Sequence, residues 1–74
     1  MALINVKLIE GVFDDDQKRA MIEKLTDAMV EIEGENMRGV TYVVIDEIKS
    51  GDWGVGGNAL TTEAVHALAA VAPV

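Results

Sequence analysis

The most reactive group this sequence offers is a chain terminus. It is an α-amino group at the tip of the first strand, on Ala2 if Met1 is removed and on Met1 if it is kept. An α-amino group titrates at about 8, and apolar surroundings favour its uncharged, basic form. As a primary amine it can serve as a general base or form a Schiff base with a carbonyl substrate. The other candidates are weaker. Asp14-Asp15-Asp16 reads as a helix start rather than a metal site, because Asp14 suits an N-cap and Gln17 lies three residues on. His66 has no acid or nucleophile paired with it locally, so it reads as an exposed helical histidine. Met21 and Met29 fall at helical spacing and read as core filler. Four glycines crowd residues 51–57, but no Lys-Ser/Thr pair opens a helix there, so this is not a phosphate loop. It reads as a hairpin or bulged loop that presents Trp53.

The elements that must position these groups are few. The chain has 74 residues, no cysteine and one histidine, which excludes disulfides and thiolate metal sites and argues against a histidine-rich metal centre; no cofactor is called for. The net charge of −7 disfavours nucleic acid and anionic membrane surfaces as partners. No leader precedes the first strand, and no apolar run approaches the roughly 18 residues of a membrane-spanning helix, so a cytoplasmic protein is expected. Ile4, Val6 and Leu8 alternate with Asn5, Lys7 and Ile9 as in a strand. A helix follows Asp14, with Met21, Leu25, Ala28, Met29 and Ile32 on its apolar face and Gly34 as its stop. Residues 35–39 form a loop, and Thr41 to Ile48 form a second strand. The fold class is therefore α/β (α+β), a βαβ unit with parallel strands and a right-handed crossover. The helix covers Ile4, Val6, Leu8, Val43 and Ile45. Leu3, Ile9, Tyr42, Val44 and Ile48 are left on the opposite face with nothing in their own chain to cover them. Asn5 and Lys7 share that face and read as polar groups of an interface. A chain this small, uncovered on one face and without staples, is expected to associate. Thr61 or Thr62 caps a last helix running to about Ala70, with Val65, Leu68 and Ala69 turned inward, and an apolar tail ends at Val74.

The order of these pieces resembles the 4-oxalocrotonate tautomerase family. The resemblance rests on Leu-Ile-Asn-Val-Lys-Leu-Ile-Glu-Gly at 3–11, Asp-Gln-Lys at 16–18, Thr-Tyr-Val-Val-Ile-Asp-Glu at 41–47 and Gly-Asp-Trp-Gly-Val-Gly-Gly at 51–57. It covers residues 2 to about 60 without large gaps. It implies a tautomerase-like domain over residues 1–60 with a glycine-rich C-terminal hairpin, and a short helix and tail over 61–74. It also implies that two chains share a four-stranded sheet, assembled further as a homo-oligomer, usually a hexamer. The implied reaction is keto–enol isomerisation of a small 2-oxo or enol acid by an N-terminal proline.

Three positions depart from that pattern. Ala2 stands where the family has its proline. Val12 stands where members often carry an arginine after Glu-Gly, and Tyr42 stands where another substrate-binding arginine is found. Trp53 matches the aromatic pocket wall in kind. The catalytic candidate is thus the amine of Ala2, with burial against Trp53, Leu3 and Ile4 favouring its free base. Arg38, Tyr42 and Trp53 are the candidates for substrate binding. Arg38 can reach a carboxylate from the loop before strand two, or lie exposed. Tyr42 can donate to a substrate oxygen or pack at a subunit interface. Two readings follow. One is a tautomerase whose activity is weak or altered in scope. The other is a non-catalytic oligomeric homologue, or the silent subunit of a hetero-oligomer with a proline-bearing partner.

Overall fold

The computed structural model describes residues 1–70, so the expected tail at 71–74 lies outside the described residues. Strand β1 (Ala2–Ile9) and strand β2 (Thr41–Ile48) run parallel and flush, Ala2 beside Thr41 and Ile9 beside Ile48. Helix α1 (Asp15–Glu33) joins them across one face of this two-stranded sheet. The N-terminus of α1 is a full capping box. Asp14 Oδ1 accepts from the Gln17 N–H at 2.7 Å, and Gln17 Oε1 accepts from the Asp14 N–H at 2.9 Å. Asp15 and Asp16 add negative charge at the positive end of the helix dipole. Gly34 ends the helix at φ +104°, its N–H donating to the Val30 carbonyl at 2.8 Å. A 3₁₀ turn, Glu35–Val40, replaces the expected loop and delivers the chain to β2. Lys18 of α1 pairs with Glu47 of β2, a hydrogen bond that raises the Lys18 ammonium above its ordinary pKa.

The helix-facing side holds Ile4, Val6, Leu8, Val43 and Ile45, all half-buried as expected. Two expectations about the helices need correction. On α1, Ile32 is 82% exposed and Ala28 is exposed, while Val30 is buried. The covered stripe runs through Met21, Leu25, Thr26, Met29 and Val30, because a helix lying on only two strands touches them along a narrow line. On the last helix, α2 (Thr62–Ala69), Ala64 and Val65 are half-buried, whereas Leu68 and Ala69 are exposed. The helix is capped by Thr61, whose Oγ1 accepts from the Ala64 N–H at 3.1 Å.

The opposite face divides in two. Leu3, Tyr42 and Val44 lie open at its near end, as expected. Its far end does not: Ile9 is buried and Ile48 half-buried. The chain's own hairpin, β3 (Trp53–Val55) and β4 (Asn58–Leu60), comes back to this end, where Trp53 and Leu60 share a groove with Ile9 and Trp53 shares a hollow with Ile48. The hairpin turns on Gly56 and Gly57 at φ +57° and +84°, and positive angles at both positions match the twist of its strands. Among the described residues, Ile9 and Val30 are the buried hydrophobic side chains, and neither is completely enclosed.

Four hydrogen bonds tie α2, Ser50 and the end of β1 together. The Thr62 N–H donates to Ser50 Oγ at 2.9 Å, and Thr62 Oγ1 donates to the Glu10 carbonyl at 2.6 Å. The Ser50 N–H donates to Glu10 Oε1 at 3.1 Å, and His66 Nε2 meets the Gly11 carbonyl at 2.9 Å. Gly11 permits this approach. Its φ is +78°, and a Cβ there would stand 3.0 Å from Thr62 Cγ2. Gly11→Ala should therefore cost about 1–2 kcal/mol from the backbone alone, with crowding of Thr62 added. Urea denaturation checks this, and an unshifted midpoint would contradict it.

The chain leaves much surface uncovered. A folded monomer of this mass exposes about 4,400 Å²; this one exposes 5408 Å². Its radius of gyration is 15.1 Å, against about 11 Å for a compact domain of this length. No helix among the described residues is long and apolar enough to cross a membrane.

Candidate functional site

The far end of the sheet carries a concavity. A groove of about 230 Å³ is lined by Lys7, Leu8 and Ile9 of β1, Val12 and Phe13 of the following turn, Trp53 and Leu60 of the hairpin, and Val65 of α2. A shallower hollow of about 270 Å³ opens beside it, lined by Lys7, Ile48, Asp52, Trp53 and Gly54. Trp53 and Lys7 border both. Among the described residues, Lys7 is the only cation lining either, and its ammonium is 2.7 Å from Asp46 Oδ2 across the sheet. The groove is thus an apolar trough with a neutralised charge at its rim, suited to an apolar ring or chain.

The sequence-predicted residues are not gathered there by one chain. Trp53 is in place as a pocket wall, half-buried at the groove. Ala2 is half-buried at the other end of β1, and Met1 is 81% exposed. Five residue steps of strand take the chain from Ala2 to Lys7, the nearest β1 residue lining the groove, which is about 16 Å at the usual rise. The expected burial of the amine against Trp53 and Leu3 therefore does not occur within a single chain, where Leu3 is itself 66% exposed. Tyr42 stands beside Leu3 in β2, about half-exposed, on the face opposite α1.

Arg38 is engaged within its own chain. Its Nε donates to Glu35 Oε1 at 2.8 Å, its Nη2 to Glu35 Oε2 at 3.3 Å and its Nη1 to Asp27 Oδ1 at 2.9 Å. The bonds to Glu35 and Asp27 raise the guanidinium pKa, and the bond from Arg38 lowers that of the Glu35 carboxyl. A bidentate grip on a substrate carboxylate would have to displace these partners. His66, read as a free exposed histidine, is exposed but bonded to the Gly11 carbonyl.

The sequence reading missed Val12, Phe13, Leu60 and Val65 as groove lining, and it placed Lys7 on the interface rather than at the groove. One signal was available. Two bulky apolar residues sit in the turn just after Gly11, where a solvent-exposed turn would carry polar groups.

Comparison with known proteins decides what kind of scaffold this is. A family model described as "Tautomerase enzyme" matches residues 3–63. This chain belongs to the tautomerase family. A probable tautomerase of Helicobacter pylori is 37% identical over 70 residues, covering 92% of this chain and 94% of that protein. A probable tautomerase of Staphylococcus aureus is 39% identical over 57 residues, covering 77% of this chain and 90% of its own length. Among solved structures, a 4-oxalocrotonate tautomerase isozyme from Methylibium petroleiphilum superposes with a TM-score of 0.68 at 34% identity, covering 85% of this chain and 95% of the other. DmpI from Helicobacter pylori superposes at 0.66 with 31% identity, covering 90% and 96%. The βαβ unit with a C-terminal hairpin and helix is the fold of this tautomerase family.

Proposed function

We propose that this chain is a keto–enol tautomerase of small 2-oxo and enol acids. Its base is the α-amino group of Ala2 after removal of Met1, working in a site shared between copies. The single observation that carries the proposal is membership in the tautomerase family over residues 3–63. Geometry says what such a site requires. The sheet has only two strands, so the outer edge of β1 is free. If two β1 strands pair antiparallel and centred, Ala2 of one copy stands opposite Ile9 of the other. That pairing brings one copy's amine to its partner's groove and gives a four-stranded sheet. The surface this chain leaves open exceeds that of a compact monomer by about 1,000 Å², close to one partner's share of a stable interface. The family's hexamer is the assembly expected.

The chemistry follows from this placement. The uncharged amine takes the enol hydroxyl proton, and the ammonium so formed delivers a proton to carbon 3, leaving the keto acid. No electrons change hands and no co-reactant is needed. Trp53 walls off water and favours the uncharged amine. Tyr42, at the amine's end of the sheet, is placed to donate to a substrate oxygen. Arg38 assists the carboxylate only by releasing Glu35 or Asp27.

The test is ketonisation of phenylenolpyruvate by two preparations distinguished by intact mass, one without Met1 and one retaining it. A retained methionine displaces the amine by roughly 3.5 Å, so the trimmed chain should be at least about tenfold faster. Equal rates above the uncatalysed one would reject the amine as base, and no catalysis by either preparation would favour the second reading, a non-catalytic homologue or silent subunit. That reading has its own support in the neutralised Arg38 and in Ala2 standing at the proline position.

A further inference from the structure

We propose that α2 is part of the substrate site, and that Val65 on it sets the size of the groove and selects acids carrying one compact apolar substituent over dicarboxylates. The proposal deepens the tautomerase reading and rests on it for the reaction. Its footing is the way α2 is held. Thr62 donates to the Glu10 carbonyl and to Ser50 Oγ at one end of the first turns, and His66 meets the Gly11 carbonyl at the other. Since a carbonyl only accepts, the His66 Nε2 carries the proton in this contact. Val65 lies between the two anchors, so its position over the groove is fixed by bonds on both sides. The absence of a Cβ on Gly11 lets the helix come this close. A helix tied only by apolar contacts could slide to admit a larger ligand; this one cannot do so without breaking hydrogen bonds.

The groove's chemistry defines the ligand. Val12, Phe13, Trp53, Leu60 and Val65 offer no polar side-chain partner except the indole N–H, and Lys7 at the rim is already bonded to Asp46. A second carboxylate entering here would lose water and gain no free cation. The chain's net charge of −7 further disfavours a doubly charged ligand. A phenyl or short alkyl group meets none of these costs.

The experiment uses the full chain without Met1, with Val65→Phe and Val65→Ala, each checked for wild-type assembly by sedimentation. It reads kcat and KM for phenylenolpyruvate and for the enol of 2-oxobutanoate, together with calorimetric binding of unreactive 3-phenylpropanoate. Val65→Phe should raise KM for the phenyl substrate by about tenfold or more, leave its kcat within about twofold, and raise KM for the smaller substrate by several-fold less. The 3-phenylpropanoate affinity should fall in parallel. Val65→Ala should shift the preference the opposite way, toward the phenyl substrate. If both substrates change equally, or neither changes, the proposal is overturned. If no preparation turns over, the catalytic reading fails alone, and weakened 3-phenylpropanoate binding by Val65→Phe still supports the groove assignment while unchanged binding overturns it.

Discussion

Acetylating the amine of Ala2 should slow ketonisation by about a hundred- to ten-thousandfold, the range a positioned general base contributes. Acetylation removes the nitrogen's basicity but keeps the chain length and adds only a small group, so it separates loss of the base from loss of the scaffold. A semisynthetic chain bearing acetyl-Ala2 makes the comparison clean. Its sedimentation and thermal midpoint should match those of the free-amine chain, because Ala2 enters the sheet through a backbone pairing with Thr41 that the acetyl group leaves in place. Ala2→Pro extends the comparison in the other direction. A ring nitrogen is confined where a primary amine rotates, so that chain should be the fastest of the three. An acetylated chain as active as the free amine would move the base to another group.

Leu3→Lys should break the assembly apart along the open sheet face. Leu3 is 66% exposed in the lone chain and shares the open end of its face with Tyr42 and Val44. A copy seated on that face would bury it, and burying an unpaired ammonium costs several kcal/mol. The association constant should weaken by at least about a hundredfold at each contact. The thermal midpoint should fall as well, because the lone chain has just two buried hydrophobic residues among those described. Sedimentation velocity decides the matter: an unchanged profile means that this face is not an interface.

Local signals carried most of the fold. The alternation at Ile4, Val6 and Leu8, the Asp14–Gln17 box, the stop at Gly34 and the β-branched run after Thr41 each act over a few residues, and each element formed where those signals put it. Facing was harder to read. Ile32 and Leu68 fit a helical period yet are exposed, because periodicity gives the pitch of a stripe and not which part of it meets a neighbour. Ile9 is buried because the hairpin returns across it, a contact between residues some fifty positions apart. The groove was invisible for the same reason: it is assembled from five short stretches, and only Trp53 among its residues stood out by type. The distance between Trp53 and Ala2 likewise depends on the direction in which the hairpin folds, which no spacing in the sequence encodes.

Trp53 is the chain's single indole and stands on the ridge between the two concavities. The molecule therefore carries its own optical probe, with no dye to attach and no second chromophore of its kind to subtract. Its emission will change colour when a ligand or a neighbouring copy dries the distal end of the β-layer, and trimming of the first methionine in an isolated chain will leave the spectrum where it was.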